Sequence, residues 1–254
     1  MRSPTSYPNP LLRVWRFAPG VQRPNLWYRF GRRVLQASFS ALWGVRVFNR
    51  RVEPPGGGVA YICNHQSFLD PILMSMALRR PMSYMARDTL FRLAPFRWLI
   101  RSFNAFPVKR GSADTGALKE ALRRLRAGGQ VVVFAEGTRT RDGRIGPLLP
   151  GVSLLIQRGA EWTVPVVIDG AIDCWPRWQV LPLPLPGSIA VRYGRPIHKT
   201  EAAGLTSEEL LGRIRREMIE IQADMRRRLG KKPLAYEETS PLPKKEKACP
   251  DTKD

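Results

Sequence analysis

The chain has 254 residues, of which 43% are hydrophobic and 25% charged. That is ordinary globular usage with enough length to bury a real core, and it excludes a wholly disordered or collagen-like chain. The unusual feature is charge: 42 basic against 21 acidic residues leave a formal +21, which calls for an anionic partner such as a phosphate ligand, nucleic acid or an acidic membrane surface.

The N-terminal zone comes first. Residues 1–58 hold ten arginines against one acid, Glu53, a local +9. Pro4, Pro8, Pro10 and the arginines interrupt any basic-then-apolar leader pattern. Leu26 to Phe48 reads as a helix. Trp27, Phe30, Val34, Phe39, Leu42 and Trp43 give it a broad apolar surface, and Arg29, Arg32, Arg33 and Arg46 give it cations. An interfacial membrane helix and a helix packed on the domain with solvated arginines both fit this pattern. No run approaches the roughly 18 apolar residues of a spanning helix.

Pro54-Pro55-Gly56-Gly57-Gly58 is a breaker and the expected boundary. The expected organisation is 1–57 as a basic segment with an interfacial helix, 58–230 as an α/β domain and 231–254 as a disordered tail rich in lysine, glutamate and proline. Within the domain, Val59–Cys63, Met82–Ala86, Ala105–Val108, Val131–Ala135, Val164–Ile168 and Ile189–Tyr193 read as strands. Asp114 to Ala127 reads as a helix that stops at Gly128-Gly129, and Ser207 to Leu229 as one opened by the capping box Thr206-x-x-Glu209. Valine-rich strands between helices predict an α/β fold with a mostly parallel or mixed central sheet flanked by helices.

Chemistry concentrates in two turns. Strand 59–63 runs into Asn64-His65-Gln66-Ser67-Phe68-Leu69-Asp70-Pro71, with a helical pattern after Pro71. Proline at the first helical position makes Asp70 the expected N-cap and leaves His65 in the strand-to-helix turn. Asp70 can then fold back to the imidazole, fix its tautomer and stabilise imidazolium. Backbone N–H groups at this helix start are candidate oxyanion donors. Taken alone, a histidine after a strand is more often structural, and Asp before Pro is a routine cap.

The second turn follows strand 131–134 as Ala135-Glu136-Gly137-Thr138-Arg139, the pattern of an anion site. Gly137 allows close backbone approach, Thr138 donates, and Arg139 can grip a phosphate bidentately. Glu136 beside a phosphate has to order an arginine or a substrate hydroxyl. A Glu–Arg surface pair in a turn is the plainer reading. Ser67 and Cys63 near His65 raise a covalent enzyme intermediate as an alternative. His198 has no acidic partner at useful spacing and reads as structural or surface. Trp162, Trp175 and Trp178 read as packing around the sheet, with one of them lining a tunnel as the alternative.

Asn64-His65-x4-Asp70 together with Phe134-x-Glu136-Gly137-Thr138-Arg139 resembles the glycerolipid acyltransferase family, whose best-known bacterial members are the 1-acyl-glycerol-3-phosphate acyltransferases. Phe106-Pro107-Val108-Lys109-Arg110 and Val164-Pro165-Val166-Val167-Ile168 are similar to two further blocks of that family, in its order. The sequence departs at Ala135, where the family has proline, and after the third block, where Leu148-Leu149-Pro150-Gly151 keeps a glycine without lysines.

The resemblance implies acyl transfer from acyl-CoA or acyl-carrier protein to the free hydroxyl of lysophosphatidic acid, giving phosphatidic acid. It implies His65 as general base, Asp70 as its orienter, Arg110 and Arg139 as phosphate ligands, and Glu136, Gly137 and Thr138 in the same subsite. No cofactor and no metal is called for. The three widely spaced cysteines, Cys63, Cys174 and Cys249, and the two histidines fit neither a zinc site nor a disulfide framework. An anionic membrane surface is the expected partner of the N-terminal block, with the protein peripheral or monotopic on the cytoplasmic face. Nucleic acid is not an expected partner, since no reading motif is present. The same chemistry on another lyso-lipid acceptor, a lysophospholipid or an amino-acid lyso-lipid, remains open.

Overall fold

The computed structural model describes residues 25–109, 114–179, 181–183 and 189–236. The elements run α1 (Leu26–Trp43), β1 (Arg46–Phe48), β2 (Val59–Cys63), α2 (Asp70–Ser75) and β3 (Met82–Arg87). After a 3-10 turn at Asp88–Phe91 come α3 (Ala94–Ser102), β4 (Ala105–Val108), α4 (Thr115–Arg126), β5 (Gln130–Phe134) and α5 (Gly151–Gly159). The chain continues through β6 (Trp162–Asp169), α6 (Ala171–Cys174), β7 (Ala190–Tyr193), β8 (Ile197–His198), α7 (Lys199–Ala202) and α8 (Ser207–Arg228).

The strands form one mixed sheet in the order β1-β7-β6-β2-β5-β3-β4, with β8 also on β6. β2 to β6 are mutually parallel; β7 and β8 run antiparallel to β6. All five residues of β2 are buried, as a central strand covered on both faces requires. One face carries Ile62, Val131, Val133 and Val167 against Ala121 and Leu125 of α4, Leu155 and Ile156 of α5, and Leu211, Ile214 and Met218 of α8. The other carries Tyr61, Val132, Val166 and Tyr193 against Phe39 and Trp43 of α1 and Leu73 and Met74 of α2.

The helix ends follow local chemistry. Asn25 caps α1, its side chain accepting the Tyr28 N–H at 2.7 Å. Asp114 caps α4 the same way at Ala117, and Thr206 with Glu209 closes a capping box on α8.

Two sequence expectations change here. The helix expected to run from Leu26 to Phe48 stops at Trp43, because Gly44 takes the left-handed conformation (φ 53°) and terminates it. Arg46–Phe48 then pairs parallel with β7, so the sheet reaches back across the proline–glycine break. The tail expected to be disordered from Lys231 is packed on the domain as far as Tyr236: the Lys231 N–H donates to the Arg226 carbonyl, and the Tyr236 hydroxyl accepts the Ile145 N–H. Residues 237–254 lie outside the described residues. His198 has the structural role expected of it. It caps α7 and meets the Trp162 ring edge-on at 4.7 Å. Trp178, expected against the sheet, is instead exposed. Among the described residues, no helix is long and apolar enough to cross a membrane.

Candidate active site

The parallel register of β2 and β5 sets Cys63 opposite Phe134. Both strands leave the sheet at its carboxyl edge, where ligands of open α/β sheets bind. His65 and Glu136 each lie two residues beyond that pair, so the register brings the two turns together. Asn64 fastens the first turn: its side-chain amide donates to the Ile168 carbonyl at 2.9 Å and accepts the Ile168 N–H at 2.8 Å. This extends the β2–β6 ladder by one side chain.

His65 Nδ1 lies 2.6 Å from Asp70 Oδ2. The imidazole stacks on Phe134, centroids 4.2 Å apart and planes 20° from parallel. Asp70 is fully buried. The same Oδ2 accepts the Gln66 N–H at 2.6 Å and the Ser67 N–H at 2.8 Å. Asp70 is therefore not the N-cap that its place before Pro71 predicts. It is the first residue of α2, behind a Leu69 cap with no side-chain bond, because two turn amides and the imidazole claim its carboxylate. Four of the amides expected as oxyanion donors at this helix start are also taken. The amides of Gln66 and Ser67 serve Asp70, that of Leu69 serves Ser67 Oγ, that of Asp70 the Ser67 carbonyl, and Pro71 has none.

Glu136 joins the two turns. Oε1 accepts the His65 N–H at 3.0 Å and Oε2 accepts the Gly146 N–H at 2.9 Å. Burial pushes its carboxyl up to about 7, against the pull of those two bonds, and the nearby Asp70 pushes the same way. With both oxygens on backbone amides, Glu136 orders the loops around His65. The Thr140 N–H adds a further tie, donating to the His65 carbonyl at 2.8 Å.

Gly137 sits at φ 69° and turns the chain. A Cβ there would lie 2.6 Å from Leu149 Cδ1. Thr138 and Arg139 follow onto a cleft of about 660 Å³ that is also lined by Arg144, Arg177, Arg215 and Tyr236. The Arg139 guanidinium lies 3.6 Å from the centre of the Phe68 ring, and Phe68 packs on Trp175. Cations outnumber carboxylates in this cleft, so it favours an anion.

Arg110 lies outside the described residues. β4, which precedes it, is the edge strand three places from β2, about 14 Å away at the usual strand spacing. The sequence reading missed Asn64, Phe134, Thr140, Arg215 and Tyr236 as site residues. Asn64 and Phe134 were signalled by adjacency to the motifs. Arg215 and Tyr236 carry no local signal, since they arrive from α8 and the segment after it.

This edge of the sheet thus carries a buried His–Asp pair on one turn and a cation-rich cleft on the other. The family model described as Acyltransferase matches residues 44–169. A 1-acyl-sn-glycerol-3-phosphate acyltransferase of Bacillus subtilis is 28% identical over 72% of this chain and 89% of its own length. A chloroplastic 1-acyl-sn-glycerol-3-phosphate acyltransferase of Arabidopsis thaliana is 29% identical over 58% of this chain, but the match spans only 42% of the plant protein. The crystal structure of the 1-acyl-sn-glycerophosphate acyltransferase from Thermotoga maritima superposes with a TM-score of 0.65 at 22% identity, covering 78% of this chain and 79% of that one. Residues 44–169 form an acyltransferase-family domain, and the chain is an O-acyltransferase.

Proposed function

We propose that the protein transfers a fatty acyl group from an acyl-CoA or acyl-carrier-protein thioester to the free hydroxyl of 1-acyl-glycerol-3-phosphate, giving phosphatidic acid. The observation that carries this reading is the 2.6 Å bond between His65 Nδ1 and a buried Asp70. With Nδ1 committed to Asp70, Nε2 is the nitrogen left to act. It takes the proton of the acceptor hydroxyl as that oxygen attacks the thioester carbonyl carbon. The carbon–sulfur bond then breaks, and the proton returns from imidazolium to the departing thiolate. The Asp70 carboxylate stabilises the imidazolium between these steps.

Arg139 and Thr138 hold the acceptor phosphate in the cationic cleft, and Arg110 is the second arginine assigned to that phosphate. Glu136 holds the frame of that subsite. A direct attack is favoured over an acyl-enzyme. Cys63 is fully buried, which pushes its thiol well up, and Ser67 Oγ donates to the Trp175 carbonyl at 2.8 Å. The enzyme works at the cytoplasmic face of an anionic membrane, as a peripheral or monotopic protein.

A second reading keeps the chemistry and changes the acceptor to another lyso-lipid. It is favoured by Leu148-Leu149-Pro150 standing where relatives of this type carry lysines. Mass spectrometry of products formed from mixed acyl donors and a panel of lyso-acceptors decides between them. Phosphatidic acid as the dominant product supports the first reading. Acylation of phosphate-free acceptors at the same rate removes the roles given to Arg110 and Arg139.

A further inference from the structure

α3 is a helix of nine residues, Ala-Pro-Phe-Arg-Trp-Leu-Ile-Arg-Ser, and none of them is buried. A helix with this many large apolar side chains ordinarily hides them on its own domain. Here Trp98 is 65% exposed and Leu93, just before the helix, is 71% exposed. Among the described residues α3 packs on the 3-10 turn, β4 and α1, and its outer apolar side chains stay exposed. The Trp98 ring packs 5.8 Å from Trp27, and Trp27 Nε1 donates to Ser102 Oγ at 3.0 Å. Gly31 lets the two elements close, since a Cβ there would lie 2.6 Å from the Phe103 ring.

The outer face of α1 continues this surface. Trp27, Phe30, Val34 and Leu42 are exposed while Tyr28, Phe39 and Trp43 face the domain. At the far end, Trp43 Nε1 donates to the Leu183 carbonyl, and Leu181 and Leu183 are exposed in turn. Two helices some seventy residues apart in the chain thus share one apolar ridge (Trp27 to Ser102 is a separation of 75).

Charge identifies the occupant. Residues 25–52 contain no acid, and neither do residues 89–113. Arg29 and Arg33 flank the α1 face, and Arg92, Arg97 and Arg101 flank that of α3. A ridge of tryptophan, phenylalanine and leucine whose own segments carry arginines complements an anionic lipid surface. It does not complement a second copy of itself, which would bring the same sign of charge.

The geometry points to a two-part membrane seat, in which α3 inserts beside the outer face of α1 into the headgroup region of an anionic bilayer. This rests on the membrane-surface reading above and adds the element that the sequence did not single out. Flotation of the full chain with phosphatidylglycerol-rich vesicles, and with pure phosphatidylcholine vesicles, tests it.

Wild type binds the anionic vesicles. Leu93→Glu/Trp98→Glu on α3 and Phe30→Glu/Val34→Glu on α1 each lower the partition constant at least about tenfold. The α3 variant keeps the wild-type melting temperature and its turnover of a short-chain, water-soluble acceptor. An α3 variant that floats like wild type while the α1 variant is released overturns the two-part seat and leaves the membrane reading standing. Wild type that fails to float overturns both. A lipid-free dimer in light scattering that the α3 variant converts to monomer assigns the ridge to a second copy and overturns the proposal.

Discussion

Glu136 holds His65 by the main chain. Its Oε1 accepts the His65 N–H at 3.0 Å, while the imidazole is held by Asp70 at 2.6 Å. Two carboxylates thus serve one histidine, one at the backbone and one at the ring. The first fixes where the residue sits, and the second fixes which nitrogen is free.

This arrangement sets a pH dependence of two opposite signs. Burial raises the Glu136 carboxyl to about 7, above its unfolded value. As pH falls through about 7 the carboxyl gains a proton, and one oxygen turns from acceptor to donor against a backbone N–H. Turnover therefore falls on that side. Stability runs the other way: a raised carboxyl pKa contributes stability that is present below about 4.5 and lost as pH rises through about 7. Glu136→Gln removes this titration. The stability difference between wild type and E136Q, read from urea melts, is expected to shrink by on the order of 3 kcal/mol between pH 4.5 and 7. Parallel pH profiles for the two proteins would assign the titration to another group.

His65→Ala is expected to lower kcat/KM by about 10²- to 10⁴-fold with only about 1 kcal/mol of lost stability. Asp70 keeps two of its three donors, the amides of Gln66 and Ser67. Initial rates beside a thermal melt check both numbers. A folded H65A with wild-type turnover ends the general-base assignment.

Asp70 separates function from folding in a different way. Asp70→Ala strands two buried N–H groups, each costing about 1–3 kcal/mol, so the variant is expected to melt well below wild type. Asp70→Asn retains an acceptor oxygen but loses the charge that stabilises imidazolium. D70N is therefore expected to lose most of its turnover while keeping most of its stability. Equal losses of both in D70N would make Asp70 a structural residue alone.

Gly137→Ala meets two penalties of different kinds. The left-handed backbone at φ 69° costs a residue with a Cβ about 1–2 kcal/mol. The new methyl also lies 2.6 Å from Leu149 Cδ1, at the end of a half-exposed side chain that can move. Leu149→Ala in the G137A background is expected to recover the steric part and none of the backbone part. Full recovery in a double-mutant melt would show that the turn tolerates an L-residue.

Tyr236→Phe is expected to raise KM for the acceptor several-fold with kcat little changed. The Tyr236 hydroxyl accepts the Ile145 N–H at 3.0 Å and donates to Gln222 Oε1. It thereby steadies the Ile145-Gly146 wall of the cleft, which also takes the Glu136 bond. Steady-state kinetics with the lyso-lipid varied gives the split. A fall in kcat at unchanged KM would place the tyrosine in the chemical step.

The two chemical turns were legible because each is local. Asn64-His65 ends an apolar strand and Pro71 marks the start of a helix, so the turn between them lets the Asp70 carboxylate reach back to the imidazole. The Asp70 cap was misplaced for a local reason as well: the pattern before a proline does not reveal that the Gln66 and Ser67 amides compete for the same oxygen. The bond from Glu136 to His65 spans 71 residues. It follows from the register that pairs Cys63 with Phe134, and register is a property of the sheet. The helix expected to run to Phe48 overran because apolar residues continue past Gly44. The strand there exists only because β7 offers an edge to Arg46–Phe48.

By itself the sequence determined six of the eight strands of the sheet, the two turns that carry the histidine and the anion-binding pattern, and the excess of positive charge. Each of these is written in neighbouring residues: valine runs, a proline, a glycine, a count of arginines. Tertiary structure alone decided that Glu136 braces the His65 backbone, that Tyr236 returns to wall the cleft, and that among the described residues the apolar side of α3 stays exposed beside Trp27. The physical reason is the same in all three cases. Periodicity tells that a face is apolar or a carboxylate is present, but what covers the face or satisfies the carboxylate is a partner brought from far along the chain by the packing of the sheet.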